Sequence, residues 1–199
     1  MHRYFVINKP YNMVSQFVSS HDVRLLGELL FDFPEGTHAI GRLDNHSEGL
    51  LILTTNKKVT RLLFQGEQPH ERTYLVKVKG EMSAEILQRL KEGVPICIAE
   101  GVEYITVPCN VEIVERPPGL FDHPRELPVK VPHTWLLITL TEGKFHQVRK
   151  MVAAVSHRCQ RLIRVSIEGL LLGDLQPGEV KEFEEEEFFR LLKITNYKD

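Results

Sequence analysis

The sequence predicts an α+β fold: a mixed, largely antiparallel central sheet flanked by helices. Three observations lead there. Runs of strand type come in clusters, and stretches of helical spacing separate those clusters. The connections between them are too irregular for a repeating strand–helix–strand rhythm. The chain has 199 residues, 42% of them hydrophobic, which is ample for the core of one domain or of one domain with two lobes.

Taken in order, Arg3 to Asn8 alternates weakly and reads as a strand. Lys9 to Asn12 is a turn, and Met13 to Val18 a second short strand. Asp22 is placed to cap a helix running to about Phe31, with Leu25, Leu26, Leu29 and Leu30 on one face. Pro34-Glu35-Gly36 stops it, and His38 to Ile40 leads into a polar turn. Leu50 to Leu53 is a wholly apolar run of buried-strand type. Lys57 to Phe64 has helical spacing. Thr73 to Lys79 alternates, with Tyr74, Val76 and Val78 on one face and Lys77 and Lys79 on the other. Ser83 caps a helix through Leu90. Val94 to Ile98, Tyr104 to Val107 and Val111 to Val114 read as short strands. Prolines at 117, 118, 124, 128 and 132 mark a long irregular connection, of the kind that is usually functional. Thr134 to Thr141 is a strand, Gln147 to Val155 a helix, and Arg161 to Ile167 and Leu170 to Leu172 are strands. The tail holds a strand at Glu179 to Phe183 and a short acidic helix, read as a solvated face.

Composition excludes several classes. No window approaches the roughly 20 apolar residues of a membrane span, and the N-terminus has no signal-peptide pattern. Cys97, Cys109 and Cys159 are scattered and odd in number, which fits a reducing cytoplasm rather than a disulfide framework. Neither they nor the nine histidines show metal-ligand spacing, so no metal is expected. The net charge of −2 hides a segregation. Lys144 to Ile167 carries Lys144, Arg149, Lys150, Arg158, Arg161 and Arg164 and no acid. Lys57 to Lys79 adds six cations against Glu67 and Glu71, while Glu179 to Glu187 is acidic. Basic patches attract phosphate backbones whatever the total charge.

Two segments could carry chemistry. Gly41-Arg42-Leu43-Asp44-Asn45-His46-Ser47-Glu48-Gly49 sets Asp44 beside a cation at the mouth of a buried strand. Taken alone it reads more readily as a solvated turn with an incidental ion pair between Arg42 and Asp44. Glu142 to Met151 is a turn opening a basic helix directly after a strand. A hydrolase would need a second acid, and Glu48 is the only one near, in a position that reads as a turn.

Together these segments resemble the bacterial ribosomal pseudouridine synthases. The first matches the family's Gly-Arg-Leu-Asp-x-x-Ser-Glu-Gly-Leu-Leu signature. Arg72-Thr73-Tyr74 is similar to its Lys-x-Tyr strand, with Arg72 for Lys. Gln147 to Met151 is similar to its Gln-Val-Arg-Arg-Met motif, with Lys150 for the second Arg. Asn8-Lys9-Pro10 and the pattern from Leu162 to Glu179 also match. The resemblance implies the family's catalytic fold, two lobes with an RNA-binding cleft between them. It implies a single catalytic domain over 1–199, monomeric and without the N-terminal S4-type RNA-binding domain of many relatives. It also implies isomerisation of a uridine to pseudouridine in 23S ribosomal RNA, needing no cofactor.

By the same resemblance Asp44 is the catalytic carboxylate and Arg149 its cationic partner. Tyr74 stacks on the uracil near C5. Arg42 fills the gap left when the base flips out. Ile163 walls the uracil, with Leu162 as the neighbouring choice. Lys144, Lys150, Arg158, Arg161 and Arg164 meet phosphates. Transfer RNA, small-subunit RNA and a non-catalytic role in ribosome assembly are the competing readings.

Overall fold

The computed structural model describes residues 1–66, 68–126, 128 and 130–198. Leu127 and Val129 of the proline-rich connection and Glu67 of the first basic stretch therefore lie outside the described residues. In chain order, β1 (Tyr4–Lys9), β2 (His38–Ile40), β3 (Glu48–Thr54), α1 (Lys58–Phe64), β4 (Arg72–Lys79) and α2 (Ala84–Glu92) come first. Next come β5 (Pro95–Ala99), β6 (Val102–Ile105), β7 (Asn110–Val114) and β8 (His133–Leu140). The chain closes with α3 (Gln147–Ala154), β9 (Cys159–Ile167), β10 (Leu170–Leu171), β11 (Val180–Phe183) and α4 (Glu185–Leu191). Two compact units result: Met1–Arg72 with Ile163–Asp199, and Thr73–Leu162.

In the first unit the strand order is β11-β1-β3-β9, with β2 on β3 and β10 on β9. All pairs there are antiparallel except β3 with β9, which is parallel at Glu48↔Ile163 and Gly49↔Arg164. Every residue of β1 and β3 is buried. That explains why their sequences run apolar instead of alternating cleanly: both faces are covered. Gly49 has φ +98°, and a Cβ there would stand 2.3 Å from the Arg164 backbone oxygen and 2.8 Å from Ile163 Cγ2. Only glycine lets the two strands close at this point.

Two expected elements are absent among the described residues. Leu25 to Leu30 forms only a 3₁₀ turn, Leu26–Glu28, not a helix. Gly27 sits in its middle, and Leu30 points into solvent, so a helix there would lose about 1 kcal/mol at the glycine and bury little on its leucine face. Met13 to Val18 is irregular rather than a strand. Its backbone is tied instead by Val14 N–H to Arg24 O and by Gln16 O to Leu26 N–H. Glu48 opens β3 and is buried, rather than lying in a turn.

The second unit is built on β4-β8-β7, with β7 and β8 antiparallel in the register Val111↔Ile138. Val76, Val78, Leu136, Ile138, Leu90 of α2 and Val148, Met151 and Val152 of α3 form its core. Ser83 Oγ caps α2 by accepting from Ile86 N–H at 3.3 Å. β5 and β6 make a separate two-stranded hairpin.

Lys77 does not share the solvated face of Lys79; it is buried. Its ammonium lies 3.2 Å from Glu126 Oε1, and the Arg161 guanidinium 2.9 Å from Glu126 Oε2. Arg116 Nε approaches the same carboxylate at 3.6 Å. Burial opposes the Glu126 charge, yet the Lys77 hydrogen bond and the Arg161 charge hold its pKa below the usual carboxylate range. The proline-rich connection is thus fastened to its unit by the Glu126 carboxylate between two buried cations and by Phe121 O on Arg161. Such pairs add little net stability but are costly to break from one side.

Gly49→Ala is expected to lower stability by more than about 3 kcal/mol, since strained backbone and overlap add. Gly101, φ +69° with open space around its Cβ position, serves as the control. Alanine there should cost about 1–2 kcal/mol. Urea midpoints of the two variants measure the difference.

Candidate functional site

The segment Gly41 to Ser47 has no regular structure, and it is held from several sides. Arg164, buried, donates from Nε to Leu50 O at 2.8 Å and from Nη2 to Gly41 O at 2.7 Å. Ser15 Oγ accepts from Leu43 N–H at 3.0 Å and donates to Leu43 O at 2.8 Å. Lys9 Nζ reaches Asn45 O at 3.4 Å, and also Met13 O at 2.6 Å and Pro10 O at 2.9 Å. Ser47 N–H returns to Asp44 O at 3.0 Å, closing a turn. Asp44 is therefore half-buried on a backbone fixed at the residues on either side of it.

Lys9 is fully buried at the end of β1. Burial is the largest influence on it and pulls its pKa down to about 7, against the opposing charges of Glu48 and Asp44. Its three N–H bonds match three carbonyl acceptors, an arrangement that suits the ammonium form.

Arg42 and Asp44 are not strand neighbours, because neither belongs to β3. Arg42 is exposed and has no ion pair among the described residues, so the plain ion-pair reading of the turn does not hold.

In the second unit, Tyr74 lies on β4, half-buried against the apolar core. Its hydroxyl has no hydrogen-bond partner among the described residues. Arg149 lies on the first turn of α3, half-buried, with Nη1 3.6 Å from Cys159 Sγ. Burial pushes the Cys159 thiol up to about 11, against the pull of Arg149. Arg149 and Arg158 border a recess of about 430 Å³ with His157 and Cys159. Lys144 and Arg158 are exposed, and Lys150 is half-exposed.

Arg161 and Arg164 depart from their expected phosphate-binding role. Both are 2% exposed. Arg161 is spent on Glu126 and on Phe121 O at 2.9 Å, and Arg164 on Gly41 and Leu50. Ile163 is fully buried beside Gly49, and Leu162 lies in the core of the second unit. Lys9 and Ser15, which hold the Asp44 segment, carried no sequence signal of that role beyond the Asn8-Lys9-Pro10 match. Among the described residues no three His, Cys, Asp or Glu side chains cluster as a metal site would need. No helix among them is long and apolar enough to cross a membrane.

The chain is similar to known proteins in sequence and fold. The family model described as RNA pseudouridylate synthase matches residues 3–154. Ribosomal large subunit pseudouridine synthase E of Vibrio vulnificus (strain CMCP6) is 38% identical over 181 residues, spanning 89% of this chain and 73% of the relative. The protein of the same name from Xanthomonas campestris pv. campestris is 39% identical over 180 residues, spanning 87% of this chain and 91% of the relative. Among solved structures, a pseudouridylate synthase crystal structure superposes with TM-score 0.74 at 26% identity, covering 96% of this chain and 74% of that one.

The Lys9 geometry sets a pH dependence. The unfolded chain holds this proton up to about pH 10.4, whereas the folded state releases it near 7. More protons are then bound unfolded than folded, so this group makes stability rise with pH above 7. Cys109 and Cys159, both pushed up by burial to about 11, act with the opposite sign once unfolded thiols ionise near about 8.5. Between about pH 7 and 8.5 the wild type should gain roughly 1–2 kcal/mol, and Lys9→Met should lose that gain. Urea titrations at both pH values measure it.

Proposed function

We propose, from the premise that this chain belongs to the RNA pseudouridylate synthase family, that Asp44 is the carboxylate with which it isomerises a uridine of large-subunit ribosomal RNA. The relatives at 38% and 39% identity carry that substrate in their names. The observation that carries the reading is the fastening of the Asp44 turn by Arg164, Ser15 and Lys9. A carboxylate on an otherwise irregular segment is useful to a reaction only if its position is fixed in advance.

The reaction conserves atoms. The bond from uracil N1 to ribose C1′ breaks, C5 bonds to C1′, a proton leaves C5 and one is taken up at N1. An ionised Asp44 serves the step at the sugar or at the base. Tyr74, with an apolar face and an uncommitted hydroxyl, is assigned to the uracil and to the C5 proton. Arg149 is assigned to the carboxylate's orientation and charge. The target base must leave its helix at a cost of a few kcal/mol, and exposed Arg42 is suited to hold the opened strand.

Phosphate contacts fall to Lys144, Lys150 and Arg158. Arg161 and Arg164 are withdrawn from that set by their burial. We assign target choice to the connection from Arg116 to Pro132, and the setting to the cytoplasm, where the three free cysteines stay reduced.

Asp44→Asn is expected to keep RNA affinity and to abolish pseudouridine formation when large-subunit RNA is mapped with and without the protein. Pseudouridine formed at the wild-type rate by that variant would overturn the reading in favour of a binding role.

A further inference from the structure

We propose that Phe145 is a stacking platform for an unpaired base of the substrate RNA. The proposal rests on the reading of the chain as an RNA uridine isomerase, and adds a contact that its motifs do not assign.

Phe145 is 68% exposed. Single exposed apolar residues are ordinary, so exposure alone decides nothing. Val18, Leu30, Ile105 and Leu171 are as open, but they are aliphatic and offer no π face. Phe145 differs in how it is mounted. Its neighbour His146 has φ +55°, a strained conformation for a residue with a side chain, and caps α3. Lys150 N–H holds the His146 carbonyl at 3.0 Å, and Gln147 N–H holds the Lys144 carbonyl at 3.1 Å. The Gln147 side chain accepts from Lys144 N–H at 2.8 Å and donates to Glu142 Oε1 at 2.7 Å. Glu142 is fixed in turn by Val107 N–H at 3.0 Å and by the Tyr104 hydroxyl at 2.5 Å. The turn is thus bracketed on both sides of Phe145, and the ring stacks on His146 with centroids 3.9 Å apart. The backbone that carries the ring is thus fixed, and the His146 stack narrows what freedom the ring has left to lose when a ligand lands on it.

The surroundings point to a nucleotide. Lys150 Nζ lies 5.2 Å from the Phe145 centroid, and Lys144 stands on the same turn, its Nζ 4.6 Å from the Tyr104 ring. No acid occurs from Lys144 to Ile167, and the acid nearest to Phe145 along the chain, Glu142, is engaged by three donors. An aromatic face beside ammonium groups fits a base with its phosphate. Stacking accepts any base, while the cations meet the backbone.

The two contributions separate by salt. Affinity for unmodified large-subunit ribosomal RNA transcript is measured by filter binding between about 50 and 200 mM salt, where phosphate contacts dominate the slope. Phe145→Ala should weaken binding about 5- to 100-fold at every salt concentration and leave the slope unchanged. Phe145→Trp should restore it. Lys144→Ala should instead reduce the slope by about one. A change under about twofold in Phe145→Ala, a loss that tryptophan does not restore, or a lowered slope would each overturn the platform. If the wild type forms pseudouridine while Phe145→Ala binds as tightly, only the platform falls. If the wild type neither binds nor modifies the RNA, the functional reading falls and the platform with it.

Discussion

The first unit depends on one buried guanidinium. Arg164 bonds Gly41 O, at the start of the Asp44 segment, and Leu50 O, just inside β3. Its own backbone oxygen is what a Cβ on Gly49 would strike. The parallel contact of β3 with β9 and the path of the Asp44 turn are therefore set by the same residue pair. Two carbonyls nine residues apart are satisfied by one planar group, whose fork of donors a lysine could not reproduce. A buried carbonyl without a partner is costly, so this one side chain constrains where the whole turn can run.

Buried cations recur as organisers. Lys9 gathers Pro10, Met13 and Asn45, and Lys77 and Arg161 gather at Glu126. In each case a charge removed from water is offset by several oxygens placed around it. Part of the basic excess is thus structural. Of the six cations from Lys144 to Ile167, two, Arg161 and Arg164, are buried and bonded within the protein.

β3, buried on both faces, was legible because it leaves little but apolar residues in sequence, and β1 and β8 were legible through their β-branched, leucine and aromatic residues. α2 was legible through its Ser83 cap and its spacing, α3 through spacing alone. The Leu25–Leu30 stretch was not, since periodicity describes a face without saying whether anything covers it. In the structure nothing covers Leu30. The assignment proposed for Asp44 rests on a long motif; alone, Gly-Arg-Leu-Asp does not separate a site from a turn. The fates of Arg158 and Arg161 could not be told apart from sequence. The difference lies in Glu126, thirty-five residues away along the chain, which reaches only Arg161. The roles of Ser15 and Lys9 were hidden for a similar reason, because their partners are backbone oxygens and every residue has one.

The Glu126 clasp has a consequence for how such a chain can diverge. An apolar seam spreads attachment over many side chains, so each change along it is felt. Here attachment is concentrated on Lys77 and Arg161, which take the Glu126 carboxylate and, at Arg161, the Phe121 carbonyl. Side chains between Arg116 and Phe121 can vary while the Glu126 carboxylate and the Phe121 carbonyl still return to Lys77 and Arg161. The connection is in that sense a cartridge on a fixed socket.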